Sequence, residues 1–206
     1  MAMYDVSIPV HHGMAVWENN SEKQPIFNRI TEEHITETKM ELNLHTGTHI
    51  DAPLHMINDG ETFETIPLHD LIGSVKVFDL THVKDGISKS DLEHLDIQSG
   101  DFVLFKTKNS FEKEFNFDFI YLTHDGAQYL IQCGIKGVGI DTLGIERSQT
   151  GNPTHRDLFK QKIIILEGLR LKDVKPDSYF MVAAPLNLIG TEASPARVIL
   201  FDERPF

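Results

Sequence analysis

A single cysteine, Cys133, among 206 residues excludes an internal disulfide and any metal site built from several thiolates. It lies in Ile131-Gln132-Cys133-Gly134, at an expected helix end, where a small buried hydrophobe is the expected role rather than a nucleophile. Cationic residues are also scarce. Nineteen Lys and Arg stand against 31 Asp and Glu, and the formal net charge of −12 leaves no basic stripe for a phosphate backbone, so no nucleic-acid partner is expected. No apolar run approaches the ~18 residues of a membrane span, and no membrane partner is expected. The start Met1-Ala2-Met3-Tyr4-Asp5 lacks a secretory pattern, so the chain reads as cytoplasmic. A Gly-x-Ser-x-Gly elbow is missing, which disfavours a covalent acyl-enzyme. No repeat, low-complexity tract or Pro/Gly-rich linker divides the sequence, and residues 1–206 are expected to form one domain large enough for a real core.

What is present is a concentration of imidazole and carboxylate. His45-Thr46-Gly47-Thr48-His49-Ile50-Asp51-Ala52-Pro53-Leu54-His55 places three histidines and one aspartate at odd positions of an eleven-residue run. Upstream, apolar Met40, Leu42 and Leu44 alternate with polar Lys39, Glu41 and Asn43, the pattern of a half-buried strand whose polar face His45 continues. An extended backbone projects His49, Asp51 and His55 to one side. A flat strand would hold His45 and His49 ~13 Å apart, too far for one ion. Gly47 is the residue that tolerates the bend required. A helix fails, because Asp51 would lie about 200° round the axis from His49, and Pro53 with the β-branched threonines opposes a helix interior. The expected arrangement is a strand entering a glycine-hinged loop that gathers His45, His49 and Asp51, a ligand set suited to zinc or another divalent first-row metal.

Further along, short strands and helices alternate. Tyr4 to Val10 begins as a strand, and residues 11–34 read as irregular and polar, with Trp17 the sole tryptophan. Leu68 to Ile72 reads as a helical turn, and Ser74–Leu80 and Asp101–Thr107 as strands. Ser90 is expected to cap a short helix through Leu95. Asn109 to Asp118 is either a mobile cover over a site or a surface loop anchored by buried phenylalanines. Thr123 caps a helix through Gln132 that Gly134 ends. Gly137–Asp141 and Ile163–Glu167 are buried strands separated by a helix from His155 to Lys162, and Val182–Pro185 and Arg197–Phe201 add β structure. The expected class is α/β: a mixed twisted sheet with flanking helices. Glu167 ends an apolar strand and must be paired, liganded or turned to solvent, and His155 near a helix start can be aimed inward. Spacing alone leaves their link to the first cluster open.

The run His45-x-Gly47-Thr48-His49-x-Asp51-x-Pro53-x-His55 resembles the hallmark of the cyclase-like metal-dependent hydrolases, which include bacterial kynurenine formamidases and isatin hydrolases. The likeness extends to Val138-Gly139-Ile140-Asp141-Thr142, to the His155 and Glu167 pair, and to Ser194-Pro195-Ala196-Arg197. It implies a compact fold of the swivelling β/β/α type, assembled as a homodimer or homotetramer. It implies that His45, His49 and Asp51 hold a first divalent ion, and that Asp51 and Glu167 bridge to a second that His155 completes. Zn²⁺ is the metal it suggests, one ion or two, with Mn²⁺ in some relatives. His55 matches the proton-transfer histidine and Trp17 the aromatic residue lining the pocket for a small-molecule substrate.

The sequence also departs from the formamidases. Glu18-Asn19-Asn20 follows Trp17 where they carry Pro-Gly-Asp, and Glu192-Ala193 stands where Asp-Gly is frequent. Leu143-Gly144-Ile145-Glu146 replaces Pro-Ser-x-Asp. These changes surround the substrate rather than the ions. The implied activity is hydrolysis of a small aromatic amide, arylformamidase-like, by metal-activated water, with His55 protonating the leaving nitrogen. Hydrolysis of a cyclic amide or lactone is the alternative, and a metal-binding protein without catalysis is the reading from another class. Arg197 is expected to pair a carboxylate near the sheet edge, and Asp141 to support a ligating histidine. His11, His12, His69, His82, His94 and His124 carry no assigned role.

Overall fold

The computed structural model describes residues 1–205. Twelve strands are present among them: β1 (Met3–Asp5), β2 (Ile26–Glu32), β3 (Ile35–Glu41), β4 (His49–Asp51), β5 (Ile72–Asp79), β6 (Gly86–Ile87), β7 (Phe102–Lys106), β8 (Tyr121–Leu122), β9 (Gly137–Ile140), β10 (Ile164–Glu167), β11 (Asp177–Pro185) and β12 (Ala193–Phe201). Three α-helices accompany them: α1 (Lys89–Leu92), α2 (His124–Cys133) and α3 (Pro153–Lys160). None is long and apolar enough to cross a membrane.

The class is α/β, as the pattern predicts, but the sheet is not an open layer flanked by helices. Eight strands follow the order β1-β12-β11-β5-β7-β9-β10-β4, and β4 pairs with β12 as well as β10. Seven of them thereby close into a barrel. Closure is possible because β12 offers Ala193–Pro195 to β4 and Ile199–Phe201 to β1 along the same edge. A closed sheet has no free edge at that seam. Strands β5, β7, β9 and β10 run parallel, while the remaining pairings of the barrel are antiparallel.

Period-two alternation splits the core in two. Phe102, Leu104, Ile164 and Leu166 join Ile50, Val75, Val77, Met181 and Val198 inside the barrel. Val103, Phe105, Val138, Ile140 and Ile165 face outward, where α2 and α3 cover them with Leu130, Leu158 and Phe159. Helix α2 starts as predicted, with the Thr123 hydroxyl accepting from Gly126 N, and ends at left-handed Gly134. Helix α1 corrects the predicted cap: Ser88 precedes it and forms a reciprocal capping box with Asp91. Cys133 is half-buried against the outer cluster rather than enclosed.

The largest departure lies between residues 26 and 41. Part of the stretch expected to be irregular is strand β2, which pairs with β3 in a hairpin exposed along every residue of both strands. The alternation at Lys39–Leu44 therefore does not mark a half-buried strand. It ends at Glu41, and a turn follows in which the Asn43 side chain accepts from His45 N.

Candidate metal centre

Strand register assembles the first donors. His49 and Asp51 lie two residues apart on β4 and share a face, and His49 sits directly opposite Glu167 on β10. All three are buried. His45 reaches them from the preceding turn because Gly47 (φ +73) reverses the chain there. The Gly47 carbonyl can only accept, so it takes the proton on His49 Nδ1 at 2.9 Å and leaves Nε2 for the site. Gly168 (φ +70), just past β10, packs so closely that a Cβ there would strike that same carbonyl. Gly168→Ala is therefore expected to cost ~1–3 kcal/mol and to weaken metal retention by moving the His49 anchor. An unchanged thermal midpoint would contradict this.

Helix α3 delivers His155. The Glu146 carboxylate accepts from Thr154 N at 3.1 Å and His155 N at 3.0 Å, and its Oε2 lies 2.8 Å from His155 Nδ1. Glu146 thus satisfies the helix start and aims His155 Nε2 at Glu167 Oε1, 3.3 Å away. Spacing does not single out Glu146, although an acid stands there in this chain and in the formamidase pattern alike. Ile145 N donates to Glu167 Oε1 at 2.6 Å and fixes that carboxylate in turn.

The donor atoms converge. His49 Nε2 lies 3.4 Å from Asp51 Oδ1 and 3.3 Å from Glu167 Oε2, and His45 Nδ1 lies 3.0 Å from Asp51 Oδ1. Asp51 joins two compact sets, His49-Asp51-Glu167 and His45-Asp51-His55. His155 stands beside both carboxylates, 3.9 Å from Asp51 Oδ2. Four buried atoms of this cluster, His45 Nε2, His49 Nε2 and both Asp51 oxygens, lack a hydrogen-bond partner among the described residues. Buried polar atoms left so are costly and rare. Donors ~2.0–2.2 Å from a tetrahedral ion stand ~3.3–3.6 Å apart, so the 3.3 and 3.4 Å separations and the nitrogen and oxygen donor types both fit such an ion.

The electrostatics point the same way. Burial alone would lower the pKa of His49 and His155, but Asp51 and Glu167 beside His49, and Glu146 and Glu167 beside His155, raise both to about 10. Asp51 is held well below the usual carboxylate range, with His45 and His49 overcoming the effect of burial. The pocket is thus a field that favours positive charge. His55 behaves differently: burial pushes it down to about 4, so at neutral pH its imidazole is uncharged. Its ring lies 4.0 Å from that of His45.

Above the donors opens a cavity of about 400 Å³. Trp17 forms its aromatic wall, edge-on to Phe115 at 5.2 Å and Phe119 at 5.7 Å. The Phe-rich segment thus supplies cavity wall: Phe115 and buried Phe119 line it, Phe117 also borders it while exposed, and Phe111 faces solvent. Gly144 lies under the Trp17 ring, where a Cβ would fall 2.5 Å from Cζ3. Half-buried Lys23 and Arg147 reach the same space, Arg147 being braced by Asp85 and the Tyr121 ring.

Of two further expected roles, that of Asp141 falls elsewhere and that of Arg197 is met. Asp141 touches no histidine of the cluster. It accepts from Thr107 N and Oγ1, both at 2.7 Å, and from Ser110 Oγ at 2.6 Å, fixing the turn after β7. Burial raises its pKa in spite of those donors. Arg197 pairs with Asp5 across β12 and β1, at the sheet edge.

Residues 4–147 match the Cyclase family, and the chain belongs to it. Over 208 residues it is 32% identical to a kynurenine formamidase of Salinibacter ruber, an alignment covering 98% of each. It is 60% identical to a solved structure described as a potential metal-dependent hydrolase with cyclase activity, with a TM-score of 0.94 over 99% of each chain. Isatin hydrolase A from Ralstonia solanacearum shares the fold at 21% identity, with a TM-score of 0.83 over 97% of this chain and 91% of that one.

Proposed function

We propose that this chain is a metal-dependent hydrolase that cleaves the carbon–nitrogen bond of a small aromatic amide, with N-formylkynurenine, giving kynurenine and formate, the first substrate to test. One observation carries the reading: four buried, partnerless donor atoms converge at the floor of an aromatic-walled cavity. The formamidase and metal-dependent hydrolase relatives support it. His45, His49, Asp51, His155 and Glu167 would hold one or two divalent ions, Zn²⁺ or Mn²⁺. A divalent ion bound there supplies a water whose pKa falls to ~7 and a Lewis acid for the carbonyl.

The chain's own residues do the rest. Neutral His55 takes a proton as the nucleophile adds and returns it to the leaving nitrogen. Trp17 and Phe115 present flat apolar faces to an aromatic acyl or amine group, and ~400 Å³ suits one small ligand. Glu146 keeps His155 from turning away. Residues 1–206 act as one catalytic domain in the cytoplasm on this reading.

Hydrolysis of a cyclic amide or lactone is the second reading, favoured by the altered segment Glu18-Asn19-Asn20 after Trp17, of which Glu18 lines the cavity. A panel of arylformamides, isatin and simple lactones decides between them. Turnover of one class is expected from metal-replete protein, abolished by a chelator and restored by Zn²⁺ or Mn²⁺. Metal-replete protein that leaves the whole panel untouched refutes the hydrolase reading.

A further inference from the structure

Two side chains of fixed positive charge, Lys23 and Arg147, line the cavity above the donors, and only one of them is already answered. The Arg147 guanidinium pairs with Asp85, donates to the Phe117 carbonyl at 3.4 Å and lies over the Tyr121 ring, 4.8 Å from its centroid. Lys23 Nζ has no such company. Among the described residues no carboxylate, carbonyl or ring is paired with it. Glu18 lines the same cavity but is exposed, and Glu22 directly precedes the lysine without meeting it. The carboxylates deeper in the cavity are engaged, Glu146 with His155 and Glu167 with His49 and His155.

The backbone beneath Lys23 is fixed. A single helical turn, Ser21–Lys23, is capped by the Asn20 side chain, which accepts from Glu22 N at 2.9 Å. Lys23 N donates to the Asn20 carbonyl at 3.0 Å, and the Lys23 carbonyl accepts from Thr46 Oγ1 at 3.3 Å. Thr46 is buried and follows His45, so the lysine is tied to the turn that presents a metal donor. The segment is also this chain's own. Glu18 has φ +56, which a proline ring locked at ~−65° cannot adopt, so the Pro-Gly-Asp of the formamidases cannot make this turn.

We propose that Lys23 is a specificity-determining residue, receiving a carboxylate that the aromatic substrate carries apart from the bond being cleaved. This rests on the hydrolase reading above and narrows it to anionic aromatic amides over neutral ones. The chain has a formal net charge of −12, and Asp51, Glu146 and Glu167 are buried around the donors, so an anion entering the cavity needs a cation to meet it. Lysine suits that task. Its ammonium is a compact charge with three donors on a flexible stem, able to follow a carboxylate held at some distance from the ring. Lys23 is half-buried, and a ligand that displaces the remaining water from Nζ must replace it with a partner. Ring against Trp17 and Phe115, anion against Lys23: two fixed points orient the substrate over the donors.

Trp17, the sole tryptophan, lines the cavity and reports its occupation by fluorescence whether or not turnover occurs. Phenylpropionate and phenylpropionamide, an anion and its neutral isostere, are the probes, titrated into the metal-replete protein. Wild type is expected to bind the acid roughly tenfold or more tighter than the amide, the scale of a hydrogen bond to a charged group. Lys23→Gln should erase that preference and Lys23→Arg should keep it, with thermal midpoints unchanged because Nζ holds nothing in the folded chain. With N-formylkynurenine and its methyl ester as substrates, Lys23→Gln should shrink the advantage of the free acid roughly tenfold, through KM. Equal affinity of the wild type for acid and amide, or no binding of the acid at millimolar concentration, overturns the proposal. So does a preference that survives in Lys23→Gln, since a carboxylate seated on the ion would bind both proteins alike. Protein that turns over no substrate yet shows the Lys23-dependent preference refutes hydrolysis and upholds the anion site.

Discussion

Asp51→Asn is expected to abolish stoichiometric metal binding and, with it, turnover. Asp51 is the one residue common to both compact donor sets, and its two oxygens have no hydrogen-bond partner to compensate for burial. The amide keeps the shape but replaces one anionic oxygen by a donor that faces His45 and His49. Because an ion that binds only the folded chain stabilises it by mass action, wild type at a metal concentration 100 times Kd gains ~2.7 kcal/mol. At ~2–4 °C per kcal/mol for a chain of this size, that is ~5–10 °C in Tm. The variant should show no such rise on metal addition. Elemental analysis and paired thermal scans, with and without chelator, check it. An Asp51→Asn variant that retains metal and the metal-dependent rise would remove Asp51 from the centre of the site.

His55→Ala is expected to do the opposite: metal retained, rate lost. The imidazole is half-buried at the cavity floor, neutral at ordinary pH, and near the donors without being braced by a carboxylate as His155 is by Glu146. General acid–base groups contribute typically ~10²–10⁴-fold, so kcat should fall by that range while metal content stays at the wild-type level. The same measurement separates two roles, because His55 also belongs to one compact donor set. If His55→Ala strips an ion as Asp51→Asn does, His55 is a ligand and the proton shuttle must be sought elsewhere. If both metal and rate survive, neither role stands.

Much of the site is legible because its first donors lie in one segment. His45, Gly47, His49 and Asp51 are spaced so that only a bent, partly extended backbone gathers them, and the structure has that backbone. Spacing cannot tie Glu167 to them, since the link is an antiparallel register across 118 positions that no local periodicity encodes. Glu146 is silent in the sequence because its partner is a helix terminus, a role visible only after α3 is placed. The strands are readable from apolar runs, but barrel closure is not, because it depends on how long β12 is and which edge β4 joins. The hairpin misleads for another reason. Alternation there reflects two exposed faces, and a period of two says which residues share a face without saying that anything covers it.

The seam of the barrel has a consequence for how the protein matures. The strand carrying His49 and Asp51 is also the one that zips residues 165–167 to residues 193–195. No nascent or half-folded chain can present the complete donor set until segments well over a hundred positions apart have met, and such distant pairings tend to form slowly. Ion capture should thus act as a latch thrown late, and release of the ion should report the parting of that seam.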